Sequence, residues 1–254
     1  SVGLAFEYAD TLVANADQGG LFDFGDSHAA STNEPELVTA EPWTLKERLS
    51  LEKTAIGFYL SGHLFDEAES EVRRFARQRI GDLKDSRDPQ VVAGIVSELR
   101  VINGARGRVA IFKLDDKSDV IEAVANQDTL DANKDLLKDD ELVIVQATVQ
   151  PDRFSGGLRL KIQQIWDLAA ARCRFGKYLK VAVNGTAPAV AALVREFPPR
   201  RETTDQGELV RGLPVRLAVQ REGARCELQL DDRALVLTTD AALASWTAQA
   251  HERK

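Results

Sequence analysis

The chain contains no methionine, so Ser1 is not a natural translation start, and the 254 residues are expected to be a piece of a longer protein. Cysteine is almost absent. Cys173 and Cys226 lie far apart and away from any histidine-rich stretch, which excludes a disulfide framework and a cysteine-based zinc site and fits a reducing cytoplasm. Histidine is as sparse, with His28, His63 and His251 scattered. No apolar run approaches the roughly 20 residues that span a bilayer, and no basic segment leads into a hydrophobic stretch at the start. No membrane association is expected. Net positive charge is missing too: at −7, any polyanion must be met by a local cationic face in an acidic background. The sequence has no phosphate-cradling glycine loop with lysine, no nucleophile motif and no triad-like grouping. No catalytic residue, metal site or cofactor is therefore expected.

What is present is a 44% hydrophobic chain long enough for one large domain or two modest ones. Leu4, Ala5, Tyr8, Leu12 and Val13 have helical spacing, so 1–17 is expected to be a helix ending an upstream domain. Residues 18–42 lose periodicity and fill with Gly, Asp, Ser, Asn, Glu and Pro, the composition of a flexible linker. Helical periodicity resumes over 43–88, with one helix within Trp43 to Ser61 and a second over Asp66 to Gln78, Asp66 being the expected cap.

After Asp88-Pro89 the period changes to two. Val91–Ile102, Arg108–Leu114, Val120–Val124, Leu142–Val149 and Leu158–Trp166 read as five strands. Leu130, Leu136 and Leu137 within Thr129–Lys138 mark a short amphipathic helix between the third and fourth. Strand-strand-strand-helix-strand-strand is the order of an OB-type barrel, here over 89–168. A generic small barrel or half-sandwich is the alternative. Residues 169–254 read as a small α+β domain: helix Ala169–Phe175, strand Tyr178–Val183, helix Pro188–Glu196, a hairpin of Val215–Gln220 with Arg225–Leu230 across Glu222-Gly223, strand Ala234–Thr238, and a closing helix from about Asp240. The expected class is a multi-domain α+β chain with a five-stranded OB-type β-barrel, flanked by N-terminal helices and this C-terminal domain.

Two features carry candidate binding chemistry. Between Leu99 and Leu114 stand Arg100, Arg106, Arg108 and Lys113 without an acid, and Arg153, Arg159 and Lys161 lie by the second hairpin. In an OB barrel these hairpins border one groove, so the seven cations can track the backbone of single-stranded DNA. Stacking aromatics are scarce, since only Phe112 and Phe154 are near and Phe112 suits the core. The alternatives are a solvated strand face or a barrel used for protein contacts. The second feature is Gln18-Gly19-Gly20-Leu21-Phe22, where large apolar side chains stand in a linker that gains nothing from exposing them. Leu21 and Phe22 can enter a partner's pocket while the Gln18 amide bonds at its rim. The alternative is that Leu21, Phe22 and Phe24 fold back on this chain. Asp115-Asp116 is read as a strand-ending turn and not as a metal pair, and Phe154-Ser155-Gly156-Gly157 as a hairpin turn.

These residues resemble a family. Gln18 to Phe22 is similar to the internal sliding-clamp-binding motif of bacterial replicative polymerases. Glu52-Lys53-Thr54-Ala55-Ile56-Gly57-Phe58-Tyr59-Leu60-Ser61-Gly62-His63 resembles the segment that follows it in the alpha subunit of DNA polymerase III. Lys113-Leu114-Asp115-Asp116 and Asp152 to Leu158 resemble that subunit's OB domain. The resemblance implies a non-catalytic C-terminal region, with the polymerase active site and a PHP domain upstream. It implies that Gln18, Leu21 and Phe22 bind the beta sliding clamp, that the OB domain contacts single-stranded template, and that the last domain binds the clamp-loader tau subunit. Leu64 stands where family members often have proline. After Lys177 nothing matches residue by residue, so tau binding is carried over by position alone. The rival reading is an OB-containing protein-interaction scaffold without direct DNA binding.

Overall fold

The computed structural model describes residues 2–16, 40–104, 107–152, 156–184, 189–204, 207–221, 223–231 and 233–251. They fall in two units, Ser1–Arg48 and Leu49–Lys254. In the first, α1 (Val2–Ala16) leaves Leu4, Phe6, Leu12 and Val13 exposed. The helix α2 (Leu45–Ile56) begins on a reciprocal cap, in which Glu47 N donates to Thr44 Oγ1 and Thr44 N donates to the Glu47 carboxylate at 3.0 Å. Both are part of the Thr-x-x-Glu pattern that satisfies the otherwise orphaned donors of a first turn. The Glu47 carboxyl is held below its usual range by these Thr44 bonds.

In the second unit, α3 covers Asp66–Val72, shorter than the Asp66–Gln78 its periodicity suggests. Its cap is Phe65, with no side-chain cap bond, and not Asp66. The Asp66 carboxylate instead accepts from His63 N at 2.8 Å and pairs with Lys117 at 2.5 Å, so it is spent on the preceding turn and on the barrel. A 3-10 turn, Ile80–Asp82, leads into the barrel.

The barrel strands are β1 (Ser86–Gly104), β2 (Gly107–Asp115), β3 (Val120–Ala125), β4 (Leu142–Pro151) and β5 (Leu158–Trp166). They close in the order β1-β2-β3-β5-β4, antiparallel except for β3 with β5. All five strands are where the period-two pattern puts them, each within a few residues except that β1 starts earlier, at Ser86. The interior is filled by Val92, Val96, Phe112, Leu114, Val145 and Leu160, with Leu130 and Leu137 closing one end. In place of the expected helix over Thr129–Lys138 stands α4 (Gln127–Ala132), which starts two residues earlier and ends six earlier, capped by Asn126, whose side chain accepts from Thr129 N. The leucines that suggested the longer helix are brought in by the turns that follow.

The apolar run of β1 over Val91–Val96 is covered on both faces, and β4 is likewise buried on both faces over Val143–Val145. Ala93, Ile95 and Ile144 face outward into a second cluster with Phe65, Val72 and Ala76 of the α3 region and with Trp166, Ala170 and Ala171. Gly94 permits the strand crossing this requires, since a Cβ there would lie 3.0 Å from the Asp115 carbonyl. The last three of those residues belong to the end of β5 and to α5 (Leu168–Phe175), which are separated by one residue, Asp167, whose carboxylate accepts from Ala170 N at 2.6 Å as the helix cap.

The C-terminal part contains β6 (Leu179–Asn184), α6 (Val190–Glu196), β7 (Arg200–Thr204), β8 (Gly207–Arg211), β9 (Leu213–Arg221), β10 (Ala224–Gln229), β11 (Leu235–Val236) and α7 (Asp240–His251). The hairpin of β9 and β10 is as read from sequence, with β6 parallel to β9 on the same sheet and β11 reduced to two residues. Leu193, Ala242 and Trp246 of the helices pack on Val181, Val183, Val215 and Leu217. The β7–β8 hairpin is additional to the elements expected from sequence.

Candidate nucleic-acid interface

The α3 region and α5 pack on the outer side of β1, β4 and the end of β5, and register fixes what β2, β3 and the rest of β5 present outward. Residues directly opposite in a ladder share a face. Arg100 pairs with Ile111, Ile111 with Val124, Val124 with Lys161, and Lys161 with Thr148, which makes one outward row across four neighbouring contacts. The neighbouring row runs Ser97, Lys113, Glu122, Arg159, Gln150. Ile111 and Val124 are only half-buried, flanked in the alternation by buried Ala110, Phe112, Ala123 and Ala125. Phe112 faces the core at 1% exposure, which removes it as a stacking platform.

The seven cations expected to line a groove divide into three groups. Arg100 and Lys161 are exposed and form no ion pair among the described residues. Lys113 Nζ lies 2.6 Å from Glu98, Arg108 Nη2 lies 2.8 Å from Asp131, and Arg159 pairs with Asp152. Arg106 and Arg153 lie outside the described residues, as do Gln18, Leu21 and Phe22. The acid-free window from Leu99 to Leu114 is thus neutralised from outside it, by the residue just before it and by one from α4.

Those acids are held in place by specific backbone geometry. Between Ser97 and Arg100 the register slips, so that Glu98 and Leu99 stand against Phe112 alone. This β-bulge bends the strand. Glu98 sits at φ 52, and Leu99 N donates to Asp139 Oδ1 at 3.0 Å. The Lys113 hydrogen bond lowers the Glu98 carboxyl, and Lys134, at 2.8 Å, together with the Arg108 charge lowers that of Asp131. Neither the bulge nor these pairings has a local sequence signature, though Glu98 directly precedes the basic window.

At the other end of β2 the reading of Asp115-Asp116 as a turn holds. Lys117 N donates to Asp115, and Ser118 N to Asp116. Asp116 is also an anchor, 1% exposed, accepting from Arg73 at 2.7 Å and from Ile80 N at 3.0 Å. Among the described residues no group of His, Cys, Asp and Glu could hold a metal ion, and no helix is long and apolar enough to cross a membrane.

Residues 90–168 match a family described as an OB-fold nucleic acid binding domain. The chain is similar to the DNA polymerase III alpha subunit of Pseudomonas fluorescens, at 43% identity over 169 residues, 65% of this chain and 14% of that protein. The alpha subunit of Neisseria meningitidis serogroup B is 33% identical over 249 residues, 95% of this chain and 20% of that protein. The chain therefore spans only about a seventh to a fifth of these relatives. Among solved structures, the second OB-fold domain of replication protein A from Methanococcus maripaludis aligns with 36% of this chain and 93% of its own at 14% identity, with a TM-score of 0.27.

Proposed function

With this chain related over most of its length to one segment of bacterial DNA polymerase III alpha subunits, we propose that it is a non-catalytic C-terminal region of a replicative DNA polymerase, acting in the cytoplasm. Its barrel contacts single-stranded template across the outer face of β2, β3 and β5. Gln18, Leu21 and Phe22 tether it to the beta sliding clamp, and the C-terminal domain meets the clamp-loader tau subunit. The observation that carries the DNA contact is the row Arg100–Ile111–Val124–Lys161: two exposed cations, without an ion pair among the described residues, at strand spacing with an apolar strip between them on the outer side of the barrel. Cations engage phosphates and the strip takes the apolar faces of unpaired nucleotides.

Labelled single-stranded oligonucleotide titrated into the chain should bind, and Arg100→Ala with Lys161→Ala should weaken binding about tenfold, the expectation for two exposed charge contacts. Unchanged affinity in that variant removes the DNA reading of this face. For the tether, a peptide spanning Gln18 to Phe24 should compete for the clamp. Undiminished clamp affinity after Gln18→Ala, Leu21→Ala and Phe22→Ala together would sink it.

The second reading, a protein-interaction scaffold, is favoured by one fact: Lys113, Arg108 and Arg159 already hold acids. It predicts no oligonucleotide binding at low salt.

A further inference from the structure

A face built only to attract polyanions would leave its cations free, and this one does not. Of the five described cations of the groove, three are tied to carboxylates. The Arg159–Asp152 pair is structural, since the Asp152 side chain is 8% exposed and Arg159 bonds it through two nitrogens. The other two pairs are solvent-facing: Lys113 stands in the outward row beside Arg100–Lys161, and Arg108, in phase with Ala110 and Phe112, stands at the end of the barrel beside α4, where Asp131 also holds Lys134. Glu98 and Lys113 are 57% and 42% exposed, and Asp131 and Arg108 are 35% and 44% exposed. Glu98 also occupies left-handed backbone, which is uncommon for a residue with a side chain and persists only where the surroundings impose it. Here the bulge and the Asp139 bond to Leu99 N impose it.

What stays available between these rims is the row of Arg100, Ile111, Val124 and Lys161. A duplex offers phosphates and keeps its base faces stacked. A single strand offers fewer phosphates per unit length but can lay unstacked base and sugar surfaces on Ile111 and Val124. Carboxylates that cancel Lys113 and Arg108 reduce the part of the attraction both ligands share. They leave the apolar part, which only the single strand can use.

We propose that Glu98, on the barrel face, and Asp131, at the end of the barrel beside it, are specificity-determining residues, attenuating the charge around the face so that single-stranded nucleic acid is bound through the Ile111–Val124 strip and duplex is refused. This rests on the single-strand reading above. Glu98→Gln and Asp131→Asn keep side-chain size and hydrogen bonding while removing charge.

The test is a pair of anisotropy titrations on the whole chain, with a labelled single-stranded oligonucleotide and with its duplex, for the wild type, the double variant Glu98→Gln/Asp131→Asn, and Ile111→Ser/Val124→Ser. In the double variant duplex affinity should rise about tenfold and single-strand affinity about threefold or less, because the denser phosphate lattice gains more from uncancelled cations. In Ile111→Ser/Val124→Ser single-strand affinity should fall while duplex affinity stays. Circular dichroism melts checked against the wild type confirm that each variant is folded. Equal changes for both ligands in the double variant, or no change in either, overturn the inference while leaving the single-strand reading standing. A wild type that binds no single strand removes that reading and the inference with it.

Discussion

At the scale of single residues, Asp116 shows how a polar group is accommodated in a barrel wall. Burial alone would raise its carboxyl, yet hydrogen bonds from Ser118, Arg73 and Ile80 N outweigh burial and hold it below its ordinary value. Its contribution to stability is therefore complete above the unfolded-state value of about 3.9 and is lost as pH falls through the lower folded-state value. Asp116→Asn should cost about 1–3 kcal/mol at pH 7, the range for weakening a buried charged hydrogen-bond set. The gap to wild type should narrow at pH 3, which lies below the unfolded-state value, so that part of the stability contributed by the ionised carboxylate is already lost there. Urea unfolding at the two values measures it, and an equal gap at both would show that charge is not the cause. The aspartate pair was legible in the sequence as a turn, because Asp side chains bond the backbone two residues on. Its bond to Arg73, 43 positions earlier, was not, since only the folded chain brings the two together.

At the scale of elements, the strands of the barrel were legible and the helix ends were not. A period of two survives where one face alone is buried, as in β2 and β5, and the apolar, β-branched run of β1 marked a strand by composition instead. α3 and α4 end early because Phe75, Leu136 and Leu137, at helical spacing, reach the core from turns instead. The β7–β8 hairpin escaped because it is short, rich in arginine and glutamate, and held by charge pairs such as Arg211–Glu202 at 2.9 Å more than by an apolar face. In the groove the cations were legible as a group, while their pairing partners Glu98 and Asp131 depend on a bulge and on the position of α4.

One element junction makes a sharp prediction. Arg172 on α5, 9% exposed, donates to both Glu71 oxygens at 2.6 and 2.7 Å, to Thr238 O at 2.8 Å and pairs with Asp240 at 2.7 Å, joining α3, α5 and the start of α7. Phe175 stacks on Phe75 beside it, with ring centroids 5.4 Å apart, at a cavity of about 340 Å³. Arg172→Ala leaves Glu71 and the Thr238 carbonyl without their donor. It should lower stability by roughly 1–3 kcal/mol, because Glu71 at 34% and Asp240 at 81% exposure regain water when their partner is removed. In a calorimetric melt the C-terminal domain should unfold ahead of the barrel. A single transition shifted by less than a degree would mean that the other contacts hold the junction.

At the scale of the whole molecule, the charge pattern limits how strongly salt governs binding. Seven phosphate contacts would give a slope of log affinity against log salt near −5 for a single strand, at about −0.7 per contact. With Lys113, Arg108 and Arg159 already paired, Arg100 and Lys161 are the two of the five described cations left to contribute, and Arg106 and Arg153, which lie outside the described residues, set the upper limit at four contacts. The slope should then lie between about −1 and −3. Titrations across a fourfold range of salt decide it, and a slope steeper than −4 would mean that the paired cations exchange their carboxylates for phosphate.

The single residue between β5 and α5 has a mechanical consequence. Asp167 leaves no slack, and its carboxylate is already committed to the helix cap, so tension applied to the C-terminal domain passes along α5 directly into β5. That strand is hydrogen-bonded to β3 on one side and β4 on the other, and it carries Arg159 and Lys161. A partner pulling on α5 would thus load the barrel through one of the strands of the candidate DNA face, sharing that load with α3 through the Arg172–Glu71 pair.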